Sequence, residues 1–312
     1  MSRSAPPAPA FFKDEAAKAA YTAAYDAVLK TWPVPYDDLI IPTDLGSTHV
    51  IASGPREAPP LILLHAALAT AVVWRPNVEA LSRHFRVHAV DVVGQGGRSI
   101  ARRRVRGRQD YADWMTELFD GLGIERASIV GNSYGGFLAF NQASLAPGRV
   151  RRVVAISPGG VFVSFVPLAR KFVHAAMKSA LLRLVGVRPP PPNVLNFLGQ
   201  DPRLNPGDED WLALGARLVD GSVRMNAIMP AVLSVAELRE IRAPTLLLIA
   251  EQERLYDPQA TLRLALERMP ALEGAIVPAA HHLAAMSQPD DVNARIIAFL
   301  QRGCGRTGQE EG

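Results

Sequence analysis

Short apolar segments alternate with amphipathic ones along most of the chain, and this alternation restricts its fold more than any other feature. Helical periodicity recurs between the later apolar segments, and such strand–helix units place successive strands parallel to one another. The sequence therefore predicts an α/β fold with a mostly parallel central sheet flanked by helices, and its first two strands form an antiparallel edge. The predicted strands are 39–43, 48–52, 61–64, 87–90, 127–130, 150–156, 244–250 and 275–277.

The alternation is interrupted between residues 160 and 238, where apolar helical stretches and a proline run replace the strands. A helical insertion inside an α/β alternation predicts a cap, or lid, over the sheet. The expected organisation is a flexible N-terminal arm (1–13), a core in two parts (14–159 and 239–302), the cap (160–238) and a disordered tail (303–312).

Composition excludes several classes of protein. With 312 residues, 48% hydrophobic residues and a net charge of +4, the chain is neither disordered nor fibrous. Its single cysteine, Cys304, excludes an intrachain disulfide framework and a cysteine-based metal cluster. We find no secretory signal and no apolar stretch long enough for a membrane span, so we expect a cytoplasmic protein.

The segment GNSYGG at 131–136 follows an apolar run directly and precedes a helical pattern. This is the G-x-S-x-G nucleophile elbow in its strand–turn–helix context, where glycines on either side of the serine avoid clashes in the tight turn. The motif makes Ser133 the candidate nucleophile. A phosphate-binding loop is excluded because no G-x-x-x-x-G-K-[ST] occurs.

A serine hydroxyl is a poor nucleophile at neutral pH, so Ser133 requires a general base. In enzymes with this elbow, an acid and then a histidine follow the serine, and the histidine comes after the last strand. His281 and His282 both occupy that place. Because His282 lies seven residues before Pro289, the spacing typical of such enzymes, we predict His282 as the base and keep His281 as the alternative.

The acid that orients the histidine is expected in the loop after strand 244–250, which reads EQERLYD. Glu253 lies three residues past the end of that strand, where such hydrolases place their acid. Asp257 is the alternative.

Two backbone N–H groups should stabilise the oxyanion that forms when a serine attacks a carbonyl. One is expected at Tyr134, the residue after the nucleophile. The other is expected in the loop that follows strand 61–64, at Ala67, with Leu68 as the next candidate. Metal-ligand spacing such as H-E-x-x-H does not occur, and this chemistry needs no cofactor.

Longer strings extend these motifs, and with them the chain resembles the serine α/β-hydrolases, and among them the carboxylesterase NP (naproxen esterase) group. The strings are AAYD at 23–26, WPVPY at 32–36, THVI at 48–51, APPLILLHA at 58–66 and LYDP at 255–258. The resemblance implies the α/β-hydrolase fold with Ser133 as nucleophile, Glu253 as acid and His282 as base. The chain departs from the pattern at Ala66 and His281, where relatives have glycine.

The expected function is hydrolysis of apolar carboxylic esters through an acyl-enzyme. The same triad could serve a lactone, thioester or carbon–carbon hydrolase, or a cofactor-free haloperoxidase or perhydrolase, since a fold does not fix the leaving group. A poorly catalytic ligand-binding receptor is a further alternative.

Six arginines between positions 98 and 108 could bind an anionic partner, but no aromatic residue is interleaved with them. We interpret this run as a solvated loop or a subunit contact. The expected partners are therefore a small apolar ester and, as one candidate assembly, a second copy in a homodimer; nucleic acid is not expected.

Overall fold

The computed structural model describes residues 11–164, 209–219 and 223–302. Within them, nine strands form one sheet in the order β1-β2-β4-β3-β6-β7-β8-β9, with β5 paired to β2. The strands are β1 (Tyr36–Thr43), β2 (Gly46–Ser53), β3 (Pro60–Leu64), β4 (Arg86–Val90), β5 (Ile100–Ala101), β6 (Ala127–Asn132), β7 (Val150–Ile156), β8 (Thr245–Ala250) and β9 (Glu273–Val277).

The pairing confirms the predicted mostly parallel sheet with an antiparallel edge. Strand β2 runs antiparallel to β1, β4 and β5, whereas every other pairing, from β4 through β3 to β9, is parallel. The two-residue strand β5 was not predicted, because Ile100 and Ala101 carry no periodicity of their own and pair only through β2.

Helices cover both faces of the sheet. The described helices are α1 (Glu15–Leu29), α2 (Arg75–Ser82), α3 (Arg108–Gly121), α4 (Tyr134–Leu145), α5 (Glu209–Val219), α6 (Val235–Arg239), α7 (Pro258–Arg268), α8 (Ala284–Ser287) and α9 (Pro289–Gln301). None of these helices has the length and apolar character needed to cross a bilayer.

Alternate residues of a strand point to opposite faces, and the core divides accordingly. In β3, Leu61 and Leu63 pack with residues of α1, α2 and α9, whereas Ile62 and Leu64 pack with residues of α3, α4 and α7. All four leucine and isoleucine side chains are buried. Burial on both faces explains why the inner strands read as continuous apolar runs rather than alternating ones.

Local signals in the sequence set several helix starts. The Asp14 carboxylate accepts a hydrogen bond from the Ala17 amide at 2.7 Å, as a helix N-cap does. Asp257 caps α7 in the same way through the amide of Ala260, also at 2.7 Å. Each cap satisfies a free N–H group of the first turn and so defines where its helix begins.

Two phenylalanines of the predicted flexible arm make contacts. Phe11 and Phe12 pack their rings against Tyr21 of α1, and the Phe11 carbonyl accepts a hydrogen bond from the Arg224 amide at 2.7 Å. The arm's first ten residues lie outside the described residues, as do the predicted tail and residues 165–208 of the predicted cap.

The described part of the predicted cap lies against the core. Helix α5 buries Trp211, Leu214 and Leu218 in the same cluster as the tyrosines of α1. The described return segment, residues 223–234, has no helix or strand, and its Asn226 amide donates to the Gly94 carbonyl at 2.7 Å. The return segment is therefore anchored to the loop that follows β4.

Helix α4 begins in close contact with β3, and Gly135 makes that contact sterically acceptable. A Cβ added at Gly135 would lie 2.1 Å from the Leu64 carbonyl oxygen. We expect Gly135→Ala to lower the free energy of unfolding by about 3 kcal/mol, because neither backbone can move without disturbing the sheet.

Gly148→Ala is the matched control, since an added Cβ there meets nothing within 4 Å. It should change the free energy of unfolding by less than about 0.5 kcal/mol. Urea denaturation of both variants measures the difference, and equal effects would contradict the proposed close contact.

Candidate active site

Ser133 occupies a strained turn between β6 and α4. Its backbone has φ 51° and ψ −109°, a conformation that L-residues rarely adopt. The Ser133 amide donates to the Ile156 carbonyl at 2.8 Å, and its carbonyl accepts from the Gly159 amide at 3.1 Å. The turn is tight enough that a Cβ at Gly131 would lie 2.1 Å from the Gly135 carbonyl oxygen. Both glycines of the motif are therefore required by space.

The turn aims the Ser133 hydroxyl at the C-terminal edge of the sheet. The side chain meets His282 there, with 2.8 Å between Ser133 Oγ and His282 Nε2. Ser133 also precedes the 12-residue helix α4, whose N-terminal end favours negative charge. A nucleophile at this position is thus placed beside both a base and a positive dipole end.

His282 comes from the loop after β9 and is buried. Its Nδ1 lies 2.7 Å from Glu253 Oε2, and its backbone carbonyl accepts a hydrogen bond from Asn132 Nδ2 at 3.2 Å. Both ring nitrogens therefore have a partner, and Asn132 ties the histidine loop to the serine turn.

Glu253 follows β8, and its carboxylate is held on both oxygens. Oε1 accepts from the amides of Arg254 and Leu255 at 2.8 and 2.9 Å, while Oε2 faces His282. Burial alone would raise the pKa of Glu253, but the charge of His282 and these hydrogen bonds lower it below its usual value. The carboxylate is therefore ionised and oriented toward the imidazole.

The structure brings together Ser133, His282 and Glu253, and it leaves both alternatives outside that chain of hydrogen bonds. Asp257 Oδ1 accepts from the amide of Ala260 as the cap of α7. The His281 amide donates to Ser287 Oγ at 3.1 Å. Among the described residues, neither alternative side chain bonds to a member of the cluster.

The two predicted oxyanion donors lie beyond paired residues of neighbouring strands. Leu64 of β3 pairs with Gly131 of β6, and Ala67 and Tyr134 each lie three residues further along the chain from this pair. Tyr134 is the first residue of α4, so no carbonyl of the helix can accept from its amide. Leu68, the alternative donor, has φ 58° and marks the point where the loop turns.

His65 holds the loop that contains Ala67. Its Nδ1 donates to the Ala66 carbonyl at 2.7 Å, and its Nε2 accepts from the Val92 amide at 2.9 Å. These two bonds require the neutral imidazole, and burial lowers the pKa of His65 in agreement with them. The position of the loop is thus defined by a neutral, buried histidine.

Sequence reasoning missed the role of Asp91. The buried carboxylate accepts hydrogen bonds from the Ala71 amide (2.7 Å), the Tyr25 hydroxyl (2.9 Å) and the Arg98 amide (2.8 Å), and it lies 2.7 Å from His49 Nδ1. One side chain thereby joins α1, β2 and the loops after β3 and β4. The signal in the sequence that could have indicated this role is the presence of polar residues, such as His49, within the predicted strands.

The Asp91–His49 pair is ionic. Burial alone would lower the pKa of His49, but the hydrogen bond and charge of Asp91, together with Asp38, raise it overall. Burial would raise the pKa of Asp91, yet His49 lowers it. The imidazolium therefore lies between a buried carboxylate and Asp38, which is 2.8 Å from His49 Nε2 and 44% exposed.

No group of three or more histidine, cysteine, aspartate or glutamate side chains in the described ranges is arranged to hold a metal ion. Within the described part of the chain, three of the six arginines between positions 98 and 108 form ion pairs, and one of them, Arg108, contacts Glu237. Arg98 contacts Asp26 and Asp38, and Arg103 contacts Asp44 and Asp110.

We expect Asp91→Asn to lower the free energy of unfolding by about 3–5 kcal/mol, because it leaves a buried imidazolium without its partner. Asp38→Asn removes the exposed partner of the same imidazole and should cost about 1 kcal/mol or less. Denaturant unfolding at pH 6 compares the two. The ionic assignment is wrong if Asp91→Asn is no more costly than Asp38→Asn.

Known proteins resemble this chain over most of its length. Residues 59–289 match the family model for the alpha/beta hydrolase fold. The chain is 36% identical over 285 residues to carboxylesterase YbfK of Bacillus subtilis (strain 168), covering 90% of this chain and 93% of that one. The crystal structure of naproxen esterase (carboxylesterase NP) from Bacillus subtilis superposes with a TM-score of 0.78 at 34% identity, covering 91% of this chain and 98% of that one. The resemblance noted in the sequence is confirmed, and the chain belongs to the α/β hydrolase fold family.

Proposed function

We propose that the protein hydrolyses carboxylic esters through an acyl-enzyme on Ser133. The observation that carries the proposal is the continuous hydrogen-bonded chain from Ser133 Oγ to His282 (2.8 Å) and from His282 to Glu253 (2.7 Å). The similarity to carboxylesterases supports an ester as the substrate. Such a chain is the arrangement that serine nucleophiles require, because the base must reach the hydroxyl while a third group orients the base.

Glu253 selects the useful tautomer of His282. Its ionised carboxylate accepts the Nδ1 proton, which leaves the Nε2 lone pair directed at the Ser133 hydroxyl. When His282 takes the serine proton, the same carboxylate stabilises the imidazolium that forms.

The reaction then proceeds in two halves. Ser133 Oγ attacks the ester carbonyl carbon while its proton moves to His282 Nε2, and the tetrahedral intermediate collapses as His282 protonates the leaving alcohol. A water molecule repeats the sequence on the acyl-enzyme, releasing the carboxylic acid and restoring the serine. No step requires a cofactor.

The amides of Tyr134 and Ala67 are the proposed donors to the oxyanion. Tyr134 begins α4, so its amide is unsatisfied within the helix and lies at the positive end of the dipole. His65 fixes the loop of Ala67 through its two hydrogen bonds. Donors that are already oriented need no rearrangement in the transition state, and each contributes about 3–4 kcal/mol.

Apolar residues are near neighbours in sequence of the proposed base and acid and also follow β7. Leu283 follows the base, Leu255 lies two residues past the acid, and Val161 and Phe162 follow β7. Leu283, Val161 and Phe162 are buried. These side chains offer no charge to pair with an ionic substrate, so we expect activity to favour uncharged acyl groups.

Ser133→Ala tests the proposal directly. We expect turnover of p-nitrophenyl esters from acetate to octanoate to fall by about four orders of magnitude or more, because the nucleophile is removed. The measurement is kcat/KM for each ester with both proteins, folded state being checked by circular dichroism. Equal, negligible turnover in both, with tight ester binding, would instead indicate a ligand-binding receptor.

Two matched pairs of variants test the other triad members. His282→Ala and Glu253→Gln should each lower kcat by about 10³–10⁴-fold, whereas His281→Ala and Asp257→Asn should stay within about 3-fold of the parent. One pair compares the histidines at 281 and 282, and the other compares the carboxylates at 253 and 257. The assignment of base or acid is overturned if the inactive variant is His281→Ala or Asp257→Asn.

A further inference from the structure

The turn that follows β7 contacts the proposed nucleophile. The Ile156 carbonyl accepts from the Ser133 amide at 2.8 Å, and the Gly159 amide donates to the Ser133 carbonyl at 3.1 Å. The segment 156–159 therefore holds both the amide and the carbonyl of Ser133 by hydrogen bonds.

The same turn contacts the loop of the proposed acid through Ser157. The Ser157 amide donates to the Leu248 carbonyl at 2.7 Å, and Ser157 Oγ accepts from the Ala250 amide at 3.1 Å. The Ala250 carbonyl in turn accepts from the Glu253 amide at 3.2 Å. One residue thus connects the end of β7 to the backbone from which Glu253 projects.

Ser157 adopts a conformation that would suit glycine. Its φ is 41°, in the left-handed region, and its side chain is fully buried. Because a glycine would relieve the backbone strain, the presence of serine is best explained by what its hydroxyl does. Strained residues of this kind cluster at functional sites.

The Ser157 hydroxyl retains a proton to donate, since the Ala250 amide occupies only one of its lone pairs. Burial would raise the pKa of Glu253, and this pKa is lowered chiefly by His282, then by the hydrogen bond from the Leu255 amide and last by Ser157. The buried Tyr256 hydroxyl adjoins the same group: burial, followed by the charge of Glu253, raises its pKa well above the usual value. Glu253 and its neighbours form one compact polar cluster.

We propose that Ser157 is a positioning residue for the reaction: its hydroxyl holds the Glu253 loop at a fixed distance from the strained turn of Ser133. The inference rests on the proposed function, because it assigns Glu253 a role in orienting His282. On this inference, the turn 156–159 determines the distance between the Ser133 turn and the loop of Glu253.

The test removes the hydroxyl in two ways. Ser157→Ala keeps the Cβ, while Ser157→Gly also relieves the positive φ and serves if the alanine variant does not fold. Each should lower kcat about 10–100-fold and leave KM for p-nitrophenyl butyrate within about 2-fold, since a misplaced acid affects the transition state more than binding.

Ser53→Ala is the matched control. Ser53 is also fully buried, and its Oγ accepts from Trp32 Nε1 at 3.1 Å, on β2 and without contact to the proposed triad. This variant should lose thermal stability comparable to that of Ser157→Ala and keep both kcat and KM.

A double-variant cycle shows whether Ser157 acts through Glu253. In a Glu253→Gln background, adding Ser157→Ala should change the single-turnover acylation rate by less than about 2-fold. A full additive loss there, or kinetics of Ser157→Ala that match those of Ser53→Ala, would overturn the inference. Failure of the proposed function is distinct, since wild type and Ser133→Ala would then hydrolyse the ester equally.

Discussion

The bent backbone at Ser133 is the constraint on which the arrangement of the site depends. A non-glycine residue at φ 51° costs about 1–3 kcal/mol and persists only when its surroundings hold it. Here Ile156 at the end of β7 accepts from the Ser133 amide, and Gly159 in the turn that follows donates to the Ser133 carbonyl. Gly131 and Gly135 let β6, α4 and β3 approach closely. Removing any of these supports would let the turn relax and move the hydroxyl away from the sheet edge.

The parallel sheet brings residues that are far apart in the sequence close together in space. Ser133 follows β6, Glu253 follows β8 and His282 follows β9, so all three come from loops at the same edge. Hydrogen bonds then tie these loops to neighbouring elements, such as the one that the Asn132 side chain of β6 donates through Nδ2 to the His282 carbonyl. The proposed triad is thus a product of strand order and of the hydrogen bonds between loops.

Two further polar groups stabilise this edge from either side. Asp91 joins α1 and β2 to the loops after β3 and β4, and Ser157 joins the end of β7 to the end of β8. Both side chains are fully buried, and both act on the backbone of a neighbouring loop. At this edge of the sheet, the Asp91–His49 ion pair and the Ser157 hydroxyl hold the loops in place, as apolar packing does in the core.

The sequence by itself determined the fold and singled out Ser133 as the proposed nucleophile, because apolar periodicity and the G-x-S-x-G spacing are local patterns that can be read without knowing any tertiary contact. It named His282 and Glu253 but left His281 and Asp257 as alternatives, since neighbours on a loop differ only in the direction their side chains take. Tertiary structure alone decided that Asp257 caps a helix while Glu253 meets the imidazole. It alone revealed the contacts of Asp91 and Ser157 as well, because these depend on which strand ends lie side by side.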